Sequence, residues 1–283
     1  MQSNIVIFVL ALMLLSCGDQ ISDRQKLAAI EKNKTILAYT CEINSSQNTP
    51  YGELQNKSSN AVTELKFEST QCLAMRTLDA NTQYGWYWQW PVEGEVILAQ
   101  PRITLGNNPL ESHNNSKMGY PLSISELSKL NIDYSVDIVT DGELNLLTTF
   151  WLTHANKIQL VADTSSIAAT VTMSSYITED FEQEPQGENI AEFAIEGVEW
   201  QVWLENKQSD NAKNSWINLS FQSSQSYSNL KFDALKLLTY AIEDGIIPES
   251  LYIADVQLGT QIINGTGQLW IERFQIEPVA SNL

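Results

Sequence analysis

The sequence predicts an all-β chain folded as a two-sheet sandwich with one helix packed on its outside, and three observations predict it. Beyond residue 34 the chain is a succession of short alternating apolar and polar runs separated by turn signals, with no internal repeat and no low-complexity tract. Only one stretch has helical spacing. The composition, 43% hydrophobic with 8 Trp, 10 Tyr and 8 Phe against 18% charged, supplies enough apolar surface for a core and excludes intrinsic disorder.

In chain order, residues 1–16 read as a signal peptide. The apolar run Ile5 to Leu15 would span roughly 16 Å as a helix, about half of a bilayer core, so it is a leader core rather than a membrane span. It ends in Leu14-Leu15-Ser16-Cys17, which resembles the bacterial lipobox, so Cys17 is the expected lipidation site and the membrane is an expected partner through that anchor. An ordinary signal peptide with a chance cysteine is the alternative, since Met1-Gln2-Ser3-Asn4 carries no basic residue. Gly18 is not the aspartate that retains enteric lipoproteins at the inner membrane, which favours the outer membrane or cell surface. Residues 17–34, polar and charged, read as a tether, and 35–283 as one domain.

Within the domain, Ser166 to Ile177 is the clearest strand. Ile167, Ala169, Val171, Met173, Ser175 and Ile177 fall on one face, and Ala168, Thr170, Thr172, Ser174 and Tyr176 on the other. Leu144 to Thr153 repeats the pattern, with Leu144, Leu146, Thr148, Phe150 and Leu152 set against Asn145, Leu147, Thr149, Trp151 and Thr153. Further strands are expected at Ile132–Val139, Trp200–Leu204, Trp216–Phe221, Leu251–Leu258 and Leu269–Ile276, a sandwich-like spacing. The helix is expected over Asp233–Asp244, where Leu235, Leu238 and Ile242 recur at three and four residues. Asp233 complements the helix dipole there and Gly245 supplies a stop.

Charge narrows the function classes. With 34 acidic against 16 basic side chains the chain carries a net −18, so nucleic acid is excluded as a partner and a neutral polymer fits better than an anionic one. If Cys17 carries lipid, Cys41 and Cys72 remain as a disulfide pair in an oxidising compartment, with two buried free thiols as the alternative. The two histidines, His113 and His154, lie apart from each other and from the cysteines, so no metal and no cofactor is expected. The aromatic segment Tyr84-Gly85-Trp86-Tyr87-Trp88-Gln89-Trp90-Pro91 places Trp86, Trp88 and Trp90 on one face of a strand. Such a stripe is either sandwich core or a platform on which sugar rings stack.

Set in order, these segments resemble glycoside hydrolase family 12, the β-jelly-roll endoglucanases and xyloglucanases of concanavalin A-like glucanase type, from about Ile36 to Glu277. The family's early disulfide corresponds to Cys41 and Cys72. Its Asn-Asn-Leu-Trp-Gly strand end looks like Asn48-Thr49-Pro50-Tyr51-Gly52, with Tyr51 where a substrate-stacking Trp stands. Its Trp-Gln-Trp is Trp88-Gln89-Trp90, and its following strand is similar to Pro101-Arg102-Ile103-Thr104-Leu105-Gly106. Val198-Glu199-Trp200-Gln201-Val202-Trp203, Asn218-Leu219-Ser220-Phe221, Phe232-Asp233, Val256-Gln257-Leu258-Gly259 and Asn264-Gly265-Thr266-Gly267 continue the match.

The resemblance implies a retaining mechanism in which one carboxylate attacks the anomeric carbon and a second, about 5–5.5 Å away, protonates the leaving oxygen. The family's Glu-x-Met-x-Trp nucleophile strand aligns with Thr172-Met173-Ser174-Ser175-Tyr176, its acid/base glutamate with Gln261, and the aspartate of its Tyr-Asp-x-Trp with Thr149 ahead of Trp151. Thr172, Gln261 and Thr149 therefore replace all three acids, and neither a threonine hydroxyl without a base nor an amide can do their work. The expected function is a lipid-anchored surface protein, a monomer, that binds β-1,4-glucan or xyloglucan in a cleft lined by Tyr51, Trp86, Trp88, Trp90, Trp151, Ser174 and Tyr176 without retaining-type hydrolysis. The alternatives are an active endo-β-1,4-glucanase or xyloglucanase, with the acidic loop Glu179–Glu184 as a substitute, or an adhesion component that binds no sugar.

Overall fold

A computed structural model describes residues 36–59, 69–78, 81–91, 96–112, 119–157, 161–209, 213–281 of the chain. The expected signal peptide, the tether and Cys17 lie outside the described residues. Sixteen strands follow in order: β1 Ile36–Thr40, β2 Ser46–Thr49, β3 Gly52–Gln55, β4 Thr70–Leu78, β5 Asn81–Gln89, β6 Arg102–Thr104, β7 Leu122–Ser123, β8 Leu127–Thr140, β9 Leu144–Thr153, β10 Ile167–Ile177, β11 Glu188–Ile195, β12 Val198–Gln208, β13 Ser215–Ser223, β14 Asn229–Asp233, β15 Tyr252–Ile262 and β16 Thr266–Ala280. Among the described residues one α-helix, α1, spans Leu235–Glu243 between β14 and β15.

The strands form two sheets. One runs β1-β4-β5-β16-β8-β14, and the other β11-β12-β13-β10-β9-β15-β6-β3-β2 with β7 joined to β15. All pairings are antiparallel except β10 with β13, which are parallel. The core lies between the sheets. Leu144, Leu146, Phe150 and Leu152 of β9, with Ala169, Val171 and Met173 of β10, face Leu269 and Ile271 of β16, all of them essentially inaccessible to solvent. Alternation on β9 and β10 thus turns one face inward, as the sequence pattern requires, and leaves the other face for a site.

The helix packs by Leu237, Leu238 and Ala241, which are buried. Asp233 ends β14 and accepts from Leu130 N at 2.9 Å and Leu235 N at 3.2 Å, so it ties the first helical turn to β8. Gly245 follows the helix at φ +69°, a left-handed conformation that glycine adopts without strain. Cys41 and Cys72 are joined by a disulfide that closes a separation of 31 residues, a cross-link worth about 3–4 kcal/mol in the chain-entropy account.

The tryptophan stripe belongs to this core. Trp86, Trp88 and Trp90 are 0%, 1% and 4% exposed on β5 and just past its end, directed at the facing sheet, and no sugar platform forms there. Trp86 Nε1 donates to Thr260 Oγ1 of β15 at 3.1 Å across the sandwich. Trp88 packs over Gly267, where a Cβ would fall 2.2 Å from the indole ring. Three large rings on one face fill the inter-sheet space, and that face points inward because its neighbours on β4 and β16, Leu73 and Leu269, do so.

Candidate functional site

The outward face of the larger sheet carries a cleft. Its main cavity, of about 680 Å³, is walled by β9, β10, β13 and β15, and an arm of about 270 Å³ continues past Thr172 and Gln261 toward the loop holding Glu184. Register fixes the order of side chains across the floor. One row runs Asp255, Trp151, Thr170, Asn218, Glu205, and the next Gln257, Thr149, Thr172, Ser220. Each row takes one residue from each strand, so neighbours stand about 4.8 Å apart.

The first row is hydrogen-bonded end to end on one side. Thr170 Oγ1 donates to Asn218 Oδ1 at 2.7 Å, and Asn218 Nδ2 donates to Glu205 Oε2 at 3.0 Å. Trp151 lines the cavity with its indole N–H unpartnered, and Trp216, at the start of β13, lines it likewise. The sequence reading missed Trp216. It sits two residues before Asn218 on the same strand face, but that this face belongs to the cleft follows only from the parallel pairing of β13 with β10.

Among the described residues, three carboxylates line the cleft: Glu111, Glu184 and Glu205. Glu111 lies 2.6 Å from Arg102 Nη2 and 3.0 Å from Lys57 Nζ, and it accepts from Gln55 Nε2 at 2.9 Å. Burial raises its carboxyl, but the charges of Arg102 and Lys57 with the hydrogen bonds from Lys57 and Gln55 outweigh that and hold it below the ordinary carboxylate range. It is an anion with its lone pairs engaged, the opposite of a proton donor.

Asp255 is fully buried under the chain that follows β6. It accepts from Thr104 Oγ1 at 2.6 Å, Gly106 N at 2.7 Å and Gln257 Nε2 at 2.6 Å. Gly106 is needed there, since a Cβ would fall 2.2 Å from Ala254 O. Burial pushes the Asp255 carboxyl up, against the pull of these donors and of Arg102. The neighbouring Tyr120 hydroxyl is also pushed up, by its own burial and by the Asp255 charge.

Of the residues singled out in the sequence, Trp151, Thr149, Thr172, Ser174 and Gln261 line the cleft. Tyr51 does not. It lies in the turn between β2 and β3, its hydroxyl donates to Glu272 O at 3.0 Å, and its ring meets Tyr84 edge-on, so it belongs to the seam between the sheets. Tyr176 does not either. A register shift between Ser174 and Tyr176 inserts one residue, and beyond it Tyr176 is paired with core residue Leu146 and packs inward.

The trio Thr172, Thr149 and Gln261 lines one cavity but does not share one row. Thr172 and Thr149 share the row of Gln257, four residues along β15 from Gln261, roughly 13 Å in an extended strand. Gln261 is instead opposite Asn145, whose Nδ2 donates both to Gln261 Oε1 at 3.1 Å and to Ser174 Oγ at 3.0 Å.

Comparison with known proteins places this geometry. The family model for glycosyl hydrolase family 12 matches residues 45–278. The chain belongs to glycosyl hydrolase family 12. Family 12 xyloglucanase from Bacillus licheniformis superposes with a TM-score of 0.71 at 17% identity, covering 87% of this chain and 100% of that one. An endoglucanase from Rhodothermus marinus gives 0.64 at 17% identity, with 87% and 100% covered. Endoglucanase S of Pectobacterium parmentieri is 21% identical over 194 residues, 68% of this chain and 70% of its own. The two sheets are thus the family 12 jelly roll, and the cleft lies on the outward face of its larger sheet.

Proposed function

We propose that this family 12 protein is a lipid-anchored surface protein that binds a β-1,4-glucan or xyloglucan chain in the cleft without cleaving it by the two-carboxylate mechanism. The observation that carries the reading is the chemistry of the floor at Gln261. Gln261 accepts from the amide of Asn145, which also donates to the hydroxyl of Ser174, where retaining hydrolysis needs two carboxyl groups about 5–5.5 Å apart. Amides, hydroxyls and two indoles suit a neutral sugar polymer, which offers hydroxyls for the former and C–H faces for the latter. The related endoglucanase and xyloglucanase agree with a β-glucan class of ligand. The lipid anchor rests on Leu14-Leu15-Ser16-Cys17, and partition of the full-length protein into the detergent phase, lost on Cys17→Ser, tests it.

The deciding experiment measures reducing-sugar release from carboxymethylcellulose, xyloglucan and mixed-linkage glucan by the lipid-free domain, beside affinity electrophoresis in the same polymers. Retarded migration without sugar release supports the reading, and no retardation in any polymer overturns it. A second reading, hydrolysis by substitute acids, is favoured by one observation: Glu184 and Glu205 line the same arm of the cleft. Sugar release abolished by Glu184→Gln or Glu205→Gln would establish it.

A further inference from the structure

Asn145 was assigned no role by the alternation of β9 or by the alignment with family 12. It is 6% exposed, and both hydrogens of its Nδ2 are engaged, one on Ser174 Oγ and one on Gln261 Oε1, while its Oδ1 is buried without a partner. A planar amide that forks in this way sets its two acceptors about 5 Å apart. It also fixes what those acceptors show to the cavity. Ser174 lines the arm of the cleft and accepts through its oxygen, which leaves its O–H available to donate. Gln261 lines the same arm and accepts through its carbonyl, which leaves its Nε2 hydrogens available to donate.

We infer that Asn145 is a positioning residue that makes this arm a pair of hydrogen-bond donors, and that the pair binds the ring and glycosidic oxygens of a neutral β-linked glucan. Acetal oxygens accept and never donate, so they match a donor pair, and a buried donor left without an acceptor is costly. The inference deepens the polysaccharide-binding reading and rests on it.

Asn145→Asp is the test, because it keeps the shape and inverts the polarity. An ionised Asp accepts from Ser174 O–H and from Gln261 Nε2, and the groups turned to the cavity become acceptors. Affinity for xyloglucan and cellohexaose, measured by calorimetry, is expected to fall at least tenfold at pH 7. It is expected to recover in part as pH is lowered and the carboxyl takes up a proton, while the natural protein shows no such recovery. Ser174→Ala, which removes one donor without adding charge, is expected to weaken binding by a smaller factor and guards against a misfolded Asn145→Asp. Wild-type affinity in both variants, or a larger loss in Thr149→Val than in Asn145→Asp, would overturn the inference while leaving binding intact. Failure of the natural protein to bind any glucan would overturn the underlying function itself.

Discussion

Gln257 donates its side-chain N–H to Asp255 Oδ2 at 2.6 Å, so a fully buried carboxyl directs an amide that lines the cleft. The arrangement has a pH signature. Burial raises the Asp255 carboxyl above its ordinary 3.8, so the folded protein holds this proton more tightly than the unfolded chain. Its contribution to stability is fully present below 3.8 and is lost as pH rises through the raised value. Thermal melts across that window are therefore expected to show the natural protein losing stability relative to Asp255→Asn as pH rises, with the difference constant at higher pH. A difference that does not change with pH would show that Asp255 keeps an ordinary carboxyl.

Glu111 gives the opposite slope. Arg102 and Lys57 hold its carboxyl below the ordinary 4.5, so it contributes stability above that value and loses it as pH falls through the depressed one. Glu111→Gln is expected to cost about 1–2 kcal/mol at pH 7, since it leaves Arg102 and Lys57 at the cleft wall without their shared carboxylate partner, and to cost progressively less below pH 4.5. Urea melts at pH 7 and pH 3.5 check both statements, and equal losses at the two values would contradict the pairing.

Two classes of tryptophan should separate cleanly. Trp86→Ala empties a site that is 0% exposed and should cost about 3–5 kcal/mol in denaturant melts, while the protein that remains folded keeps its glucan affinity. Trp151→Ala should do the reverse, with affinity for xyloglucan falling about tenfold and a smaller loss of stability. If Trp86→Ala instead weakens binding in the folded fraction, the β5 stripe reaches the ligand after all.

The contrast between those rings marks what a single sequence can carry. Alternation on β9 and β10 put Leu144, Leu146 and Phe150 with Val171 and Met173 on buried faces, and Trp151, Thr149 and Thr172 on the cleft face, because period two is written in residue type. For β5 the same period says that Trp86, Trp88 and Trp90 share a face but not which face, since indoles serve as core and as sugar platform alike. The extra residue between Ser174 and Tyr176 has no signature in residue type, so every facing assignment beyond it was inverted, and Tyr176 with it. The pairing of Gln261 with Asn145 is a matter of register between strands more than a hundred residues apart, which no local pattern records.

That register yields a last prediction about chemistry. Ser174 and Gln261 flank one amide with their oxygens about 5 Å apart, the separation at which two carboxyl groups perform retaining hydrolysis. Installing carboxyls there by Ser174→Asp with Gln261→Glu should give reducing-sugar release from mixed-linkage glucan at least 100-fold above the natural chain. General acid–base assistance of about 10²–10⁴-fold is what the natural hydroxyl and amide forgo. Thr172→Glu with Gln261→Glu should stay near the background, because Thr172 stands in the Gln257 row and its carboxyl would be too far from Gln261 to share one glycosidic bond. Sugar release from the Thr172 pair and none from the Ser174 pair would return the nucleophile position to Thr172 and show that the cleft rearranges around its ligand.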